Sequence, residues 1–353
     1  MKRYAVLAEG GFAEHDAKTA LGVLRYAPHE TVAILDSTRA GSVAADHVPG
    51  LSSRAPLVAS LADALPLRPT TLLIGIAPAG GHLPAAWRGT ILAAIEHGLD
   101  VENGLHDFLA DDPELAAAAA QRGVELRDLR RVPAGLDLPS GEALRCDAFA
   151  VLTVGSDCAL GKMSVALELD REARRRGLPS CFVTTGQTGI AIAGWGIAVD
   201  QVVSDFVAGA AERLVLEGAR RSPPGALLWV EGQGSINHPA YSGVTLGLLH
   251  GSAPRALVLA HEAGRTAIDG HPELPIAPLA ELVADYERLA RHVRPAPVVA
   301  VALKTNRLDE AGARAAIAET ERETGLPADD PVRFGAGHLL DAVLRSWSAP
   351  RNG

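Results

Sequence analysis

Apolar residues recur along this chain in short continuous runs, each closed by a polar or glycine-rich break. Tyr4 to Ala8, Thr31 to Leu35, Thr71 to Ile76, Ala150 to Val154, Ser180 to Thr184, Ala226 to Val230, Ala256 to Ala260 and Pro297 to Leu303 read as buried strands. Between them lie segments with apolar positions three and four apart. These predict helices over Ala17 to Arg25, Ala85 to His97 and Asp112 to Arg122, from Lys162 through Leu169, up to Glu217, over Asp309 to Glu323 and over Leu339 to Trp347. Val332 to Phe334 is read as one more short strand. Strand runs without polar alternation, separated by helices, predict parallel sheets covered on both faces. In such sheets the polar groups that follow each strand collect at one edge, where ligands bind.

Periodicity fades between Asp128 and Cys146, where Pro133, Gly135, Pro139 and Gly141 fall. A domain boundary is expected there, giving domains of residues 1–146, with a linker from about 128, and 147–353. A length of 353 residues with 48% apolar composition suffices for two cores. The first domain is read as Rossmann-like, although it has no G-x-G-x-x-G. Asp36, at the end of the second strand, is either a strand-end organiser or a ribose ligand.

The second domain opens on Val151-Leu-Thr-Val-Gly-Ser-Asp-Cys-Ala-Leu-Gly-Lys-Met-Ser164, a strand, a glycine loop and a helix start. That order makes a phosphate-binding loop. Glycines let backbone N–H groups turn onto an anion, the helix N-terminus adds partial positive charge, and Lys162 adds a full one. Gly155, Ser156, Asp157, Cys158, Ala159, Leu160, Gly161, Lys162, Met163 and Ser164 are therefore the expected ligand-binding stretch. Met163 stands where a magnesium-holding hydroxyl is usual. The fold class is thus α/β: an N-terminal Rossmann-like domain followed by a P-loop NTPase-like domain with a mostly parallel sheet.

Other polar groups follow later strands. Thr185, Gln187 and Thr188, read as a loop with two glycine breaks, are substrate-binding candidates, as are Ser235 and Arg265. Glu231 closes an apolar run, where a magnesium ligand or a base belongs. His238 is either loop scaffold or an acid/base residue. His261 and Glu262 are neighbours on an extended chain, so at most one is expected at the site. Cys158 is a small spacer or a nucleophile.

A net charge of −9 and the lack of a dense basic block argue against nucleic acid or a membrane surface as partner. Three cysteines form neither a disulfide scaffold nor a zinc spacing, which fits a cytoplasmic setting. No secretory leader or spanning stretch is read.

The loop and the Val230-Glu-Gly-Gln-Gly234 segment resemble dethiobiotin synthetase. That resemblance implies that Lys162 holds phosphates, that Glu231 assists a metal, and that Asn306 recognises an adenine base. A departure follows the second strand of this domain, where Thr184-Thr-Gly-Gln-Thr-Gly189 replaces the stretch carrying that enzyme's second lysine. A fuller resemblance, over nearly the whole chain, is to the DgcN-like family, named for a D-glutamate N-acetyltransferase. It is carried by Gly104-Leu-His-Asp107, Gly155 to Ser164, Thr185 to Gly189, Ser204-Asp-Phe206, Glu231 to Ser242 and His261 to Arg265. It implies acetyl transfer from acetyl-CoA to the amine of a small amino acid, with Glu231, His238 and Asp205 as catalytic candidates. The alternative is an ATP- and Mg2+-dependent kinase or ligase, with Glu231 and Ser164 as metal ligands, or a nucleotide-binding protein without turnover. A homo-oligomer acting on a small molecule is the expected assembly.

Overall fold

The structure is a computed structural model that describes residues 2–14, 16–27, 29–78 and 80–347. The chain divides into two compact units, one of residues 1–132 with 186–201, the other of 133–185 with 202–353. Among the described residues no helix is long and apolar enough to cross a membrane.

The first unit is Rossmann-like. It runs β1 (Arg3–Leu7), α1 (Lys18–Tyr26), β2 (Glu30–Leu35), β3 (Leu57–Val58), α2 (Leu61–Ala64), β4 (Thr71–Ile74), α3 (Arg88–Glu96), β5 (Asp100–Asn103), α4 (Pro113–Arg122) and β6 (Leu126–Asp128). Its six parallel strands stand in the order β3-β2-β1-β4-β5-β6, so the chain reverses direction across the sheet between β1 and β4. The central strands are apolar on both faces because helices cover both, and Ala5, Val6, Leu72 and Leu73 are fully buried. The α4 helix starts where Asp112 accepts the N–H groups of Glu114 and Leu115, both at 3.0 Å, ahead of a proline at its first position.

Asp36 is wholly committed to its own surroundings. Its carboxylate accepts the N–H groups of Gly10 and Phe12 (both 3.2 Å), the Thr38 hydroxyl (2.6 Å) and an Arg39 N–H (3.0 Å). It organises the loop after β1, and the ribose reading has no acceptor left to use.

The second unit begins with α5 (Glu142–Arg145) and continues with β7 (Phe149–Gly155), α6 (Lys162–Arg175) and β8 (Ser180–Val183). The chain then leaves it. α7 (Gln187–Ala193) belongs to the first unit, where it lies against α1 and Thr188 Oγ1 sits 2.8 Å from Thr19 Oγ1. Sequence reading took this segment for a loop of the second domain. It is a short helix buried nearly all round, with Thr188, Gly189, Ile190, Ala191 and Ile192 all buried, and Gly194 ends it in the left-handed conformation. The division therefore departs from a single cut near residue 146.

The second unit resumes with α8 (Val207–Arg220), β9 (Leu227–Val230), α9 (Ser242–Gly251), β10 (Ala256–Glu262), the antiparallel ribbon β11 (Ala267–Ile268) and β12 (His271–Pro275), α10 (Leu279–Ala290), β13 (Val298–Lys304), α11 (Glu310–Thr324), β14 (Ala328–Asp329) and α12 (Gly337–Trp347). Its parallel sheet has the order β14-β13-β10-β7-β9-β8, which sets β7 between β10 and β9. The strand expected at Val332 to Phe334 is a turn. Asp330 makes it so, accepting the N–H groups of Val332 and Arg333, both at 3.1 Å, on one carboxylate oxygen. The edge strand lies earlier, at β14.

Candidate phosphate-binding site

β7 is buried along its whole length and delivers Gly155 to the carboxyl edge of the sheet. Gly161, at φ +87°, turns the chain into α6 in a conformation that a side chain would resist. Lys162 folds back into the turn, and its ammonium donates to the Asp157 carbonyl at 2.7 Å. Only 6% of this lysine is exposed, and burial lowers its pKa from 10.5 to about 8. A second glycine makes room for it. A Cβ at Gly232 would lie 1.6 Å from the Thr153 carbonyl oxygen and 3.2 Å from Lys162 Cδ, so the chain after β9 can pass here only without a side chain.

Asp157 fixes the loop. Its carboxylate, fully buried, accepts Arg265 Nη1 and the Asp269 N–H, each at 2.8 Å, and the Cys158 N–H at 2.7 Å. Burial alone would raise its pKa, but the Arg265 guanidinium and the two amides prevail and hold it below the usual carboxylate value. Arg265 also donates to Glu262 at 2.5 Å. With two carboxylates neutralising it, Arg265 is a strut of the loop and not the free substrate clamp that its place after a strand suggested.

Around this loop the fold gathers Glu231, Thr185, Gln233, Ser235 and His238. Glu231 is 5% exposed; its carboxylate accepts the Thr185 N–H at 3.0 Å, and its carbonyl accepts the Thr185 hydroxyl at 2.8 Å. Gln233 donates to that hydroxyl at 3.1 Å. Glu231 is also one of the groups whose charge acts on Lys162. Ser235 is fully buried and bonded to Asn237, so it supports its loop instead of meeting a substrate. His238 is 3% exposed, and its Nδ1 accepts the Ala240 N–H at 3.1 Å. In the neutral ring the proton therefore sits on Nε2, which leaves that nitrogen as a hydrogen-bond donor.

His261 and Glu262 both serve the loop, contrary to the expectation that only one would. His261 Nδ1 lies 2.8 Å from Ser156 Oγ while Glu262 holds Arg265, and burial lowers the His261 pKa. The two opposite faces of β10 are both lined by parts of the site.

Gln187 and Thr188 lie in α7 of the first unit. Asp205 is exposed just ahead of α8, and Asn306 is exposed in the turn after β13. Ser164 and Met163 are half-buried in the first turn of α6.

One group that sequence reading missed is Tyr286 of α10, fully buried. Its hydroxyl donates to the Gly155 carbonyl at 2.7 Å and accepts the Ile236 N–H at 3.2 Å, tying the phosphate loop to the Glu231 loop. A lone tyrosine on an amphipathic helix carries no sequence signal for that role.

Asp157, Cys158 and His238 place ligand atoms within 4.8 Å of one another. The set is poorly suited to a metal. The Asp157 carboxylate is consumed as above, and burial with the Asp157 and Asp269 charges pushes the Cys158 thiol up to about 11, so it stays protonated and points at Asp269.

A strand, a glycine loop holding a buried lysine, and a helix define a P-loop domain, here in one chain with a Rossmann-like unit. The chain belongs to the DUF1611 family. Residues 137–340 match that family's P-loop domain and residues 37–132 its Rossmann-like domain, both described as domains of unknown function. A protein of Tritonibacter scottomollicae named D-glutamate N-acetyltransferase is 38% identical over 331 residues, covering 93% of this chain and 94% of that one. A protein of the same name from a Pseudoalteromonas species is 34% identical over 286 residues, 80% of this chain and 83% of that one. The crystal structure of a DUF1611 family protein from Anabaena variabilis superposes with a TM-score of 0.92 at 43% identity, covering 98% of this chain and all of that one. None of these three names ties the P-loop domain to dethiobiotin synthetase.

Proposed function

We propose that this protein is an N-acetyltransferase that moves the acetyl group of acetyl-CoA to the amine of a small amino acid of the D-glutamate type. The observation that carries the reading is the 38% identity, over 93% of the chain, to a protein named for that reaction. The site is compatible with it. The loop N–H groups and Lys162 recognise phosphate oxygens whatever they are attached to, and a CoA diphosphate offers the same oxygens as a nucleotide. The ammonium proton must leave before attack. The amine nitrogen then forms a bond to the acetyl carbon, and the carbon–sulfur bond breaks with its electron pair on sulfur, so that CoA leaves as the thiolate and takes up the proton lost from nitrogen. Glu231 is the carboxylate suited to receive the ammonium proton. His238, with its proton on Nε2, is suited to donate to the thioester oxygen as negative charge develops there.

The thioether of Met163 at the usual magnesium position weighs against a phosphoryl-transfer reading. An amino-acid panel incubated with acetyl-CoA and EDTA, analysed by mass spectrometry, is expected to yield an N-acetylated product. Glu231→Gln is expected to keep acetyl-CoA affinity within about threefold and lose about a hundredfold or more in kcat. Acceptor-dependent phosphate release from ATP and Mg2+, with no acetylated product, would overturn the reading.

A further inference from the structure

The turn after β13 carries Lys304 and Arg307 at the carboxyl edge of the P-loop sheet, two strands from the phosphate loop. The register fixes this place. Gly155 of β7 is level with Ala260 of β10, Ala260 with Ala302 of β13, and Glu262 with Lys304 two residues further on. Two strand spacings set the turn about 10 Å from the start of the phosphate loop.

The turn is held rigid from beneath. Asp330, 4% exposed, accepts the Thr305 N–H at 2.9 Å and its hydroxyl at 2.7 Å. Arg333 donates to the carbonyls of Thr305, Leu308 and Asp309 at 3.3, 2.9 and 3.3 Å. The cations that the turn presents are not used up by the fold. Lys304 Nζ and Arg307 Nε approach one oxygen of Glu262 at 3.3 and 3.4 Å, while the other oxygen already holds Arg265 at 2.5 Å. That shared oxygen makes no well-formed hydrogen bond. Two carboxylates, Asp157 and Glu262, thus face three cations, Arg265, Lys304 and Arg307, which leaves one positive charge in surplus, and the Arg307 side chain remains 77% exposed. Asp309, the nearest acid in sequence, turns its carboxylate to the Gly312 N–H to cap α11.

A rigid turn with surplus positive charge, about one nucleoside's reach from a diphosphate grip, suits a second phosphate on the same ligand. We propose that Lys304 and Arg307 bind the ribose 3′-phosphate of CoA and make the site selective for CoA over nucleotides that lack this group. The proposal rests on the acetyl-CoA reading above and adds the specificity determinant. CoA and dephospho-CoA differ by this single phosphate, so their comparison isolates it.

Calorimetric titration of the full chain with acetyl-CoA and acetyl-dephospho-CoA tests it without any mutation. Acetyl-CoA is expected to bind about tenfold tighter or more, as charge-assisted contacts to a phosphate provide. In Arg307→Met, an exposed position that the fold tolerates, that ratio is expected to fall severalfold through weaker acetyl-CoA binding, with acetyl-dephospho-CoA unchanged. Equal affinities in the parent protein, or an unchanged ratio in Arg307→Met, overturn this proposal and leave the acetyl-CoA reading standing. Binding of neither thioester overturns both.

Discussion

Removing Lys162 is expected to make the ligand-free protein more stable. Its ammonium is buried, and its pKa falls from 10.5 to about 8, which corresponds to about 3 kcal/mol of cost for keeping the charge below pH 8. Lys162→Met keeps an unbranched chain against Gly232 but loses the hydrogen bond to the Asp157 carbonyl, which offsets about 1 kcal/mol. A net gain of about 2 kcal/mol at pH 7 follows. Between pH 8 and 10.5 the unfolded chain binds more protons at this site than the native one, so the parent gains stability as pH rises. The advantage of Lys162→Met should therefore shrink across that window and reach zero inside it, because the charge cost of about 3 kcal/mol fades while the lost hydrogen bond, about 1 kcal/mol, remains. Differential scanning calorimetry from pH 7 to 10.5 reads both effects. With a phosphorylated ligand present the order should reverse, because only the parent gains from binding. A variant of equal or lower stability at pH 7 without ligand would refute the argument that the loop carries an uncompensated charge.

Two further substitutions test the loop's framework. Gly232→Ala puts a methyl 1.6 Å from the Thr153 carbonyl and is expected to cost about 3 kcal/mol or more in denaturant unfolding; a near-neutral result would reject the close approach. Arg265→Met leaves the buried Asp157 carboxylate without its cation and is expected to cost about 3 kcal/mol or more. In the parent the lowered Asp157 pKa gives stability that is present above pH 3.8 and lost as pH falls below it. That acid-side loss should be smaller in Arg265→Met, as urea titrations from pH 7 to 3 would show.

The strands and the phosphate loop were legible because their residues answer to local rules. Continuous β-branched runs such as Ala150 to Val154 have no reading other than burial on both faces, and the glycines and lysine after them obey the chemistry of anions. The site's partners were harder to read. Arg265 looked available because an arginine after a strand usually is, and only the fold shows Asp157 and Glu262 neutralising it. Gly186 and Gly189 give α7 the composition of a loop, and only Gly194 carries a helix-end signal. Val332 to Phe334 has strand composition, but the Asp330 side chain two residues earlier had already claimed its backbone. Tyr286 illustrates the general limit, since hydrogen bonds spanning 131 and 50 residues leave no trace in spacing.

The excursion of residues 186–201 into the first unit bears on how the chain is made. A ribosome releases β1 to β6 long before α7, so the first unit leaves the exit tunnel without the helix that covers α1. Until Gln201 emerges, α1 keeps Thr19, buried in the finished fold, without its partner on α7. By then β7, α6 and β8 have also been made, so the second unit has its phosphate loop but lacks β9, β10 and β13. Neither half is finished when the other starts, and vectorial synthesis, which usually lets an N-terminal domain mature first, here obliges both to wait on one another. Fragments ending at residue 132 should accordingly be caught by chaperones and proteases, while fragments ending after residue 201 should hold a protected first unit.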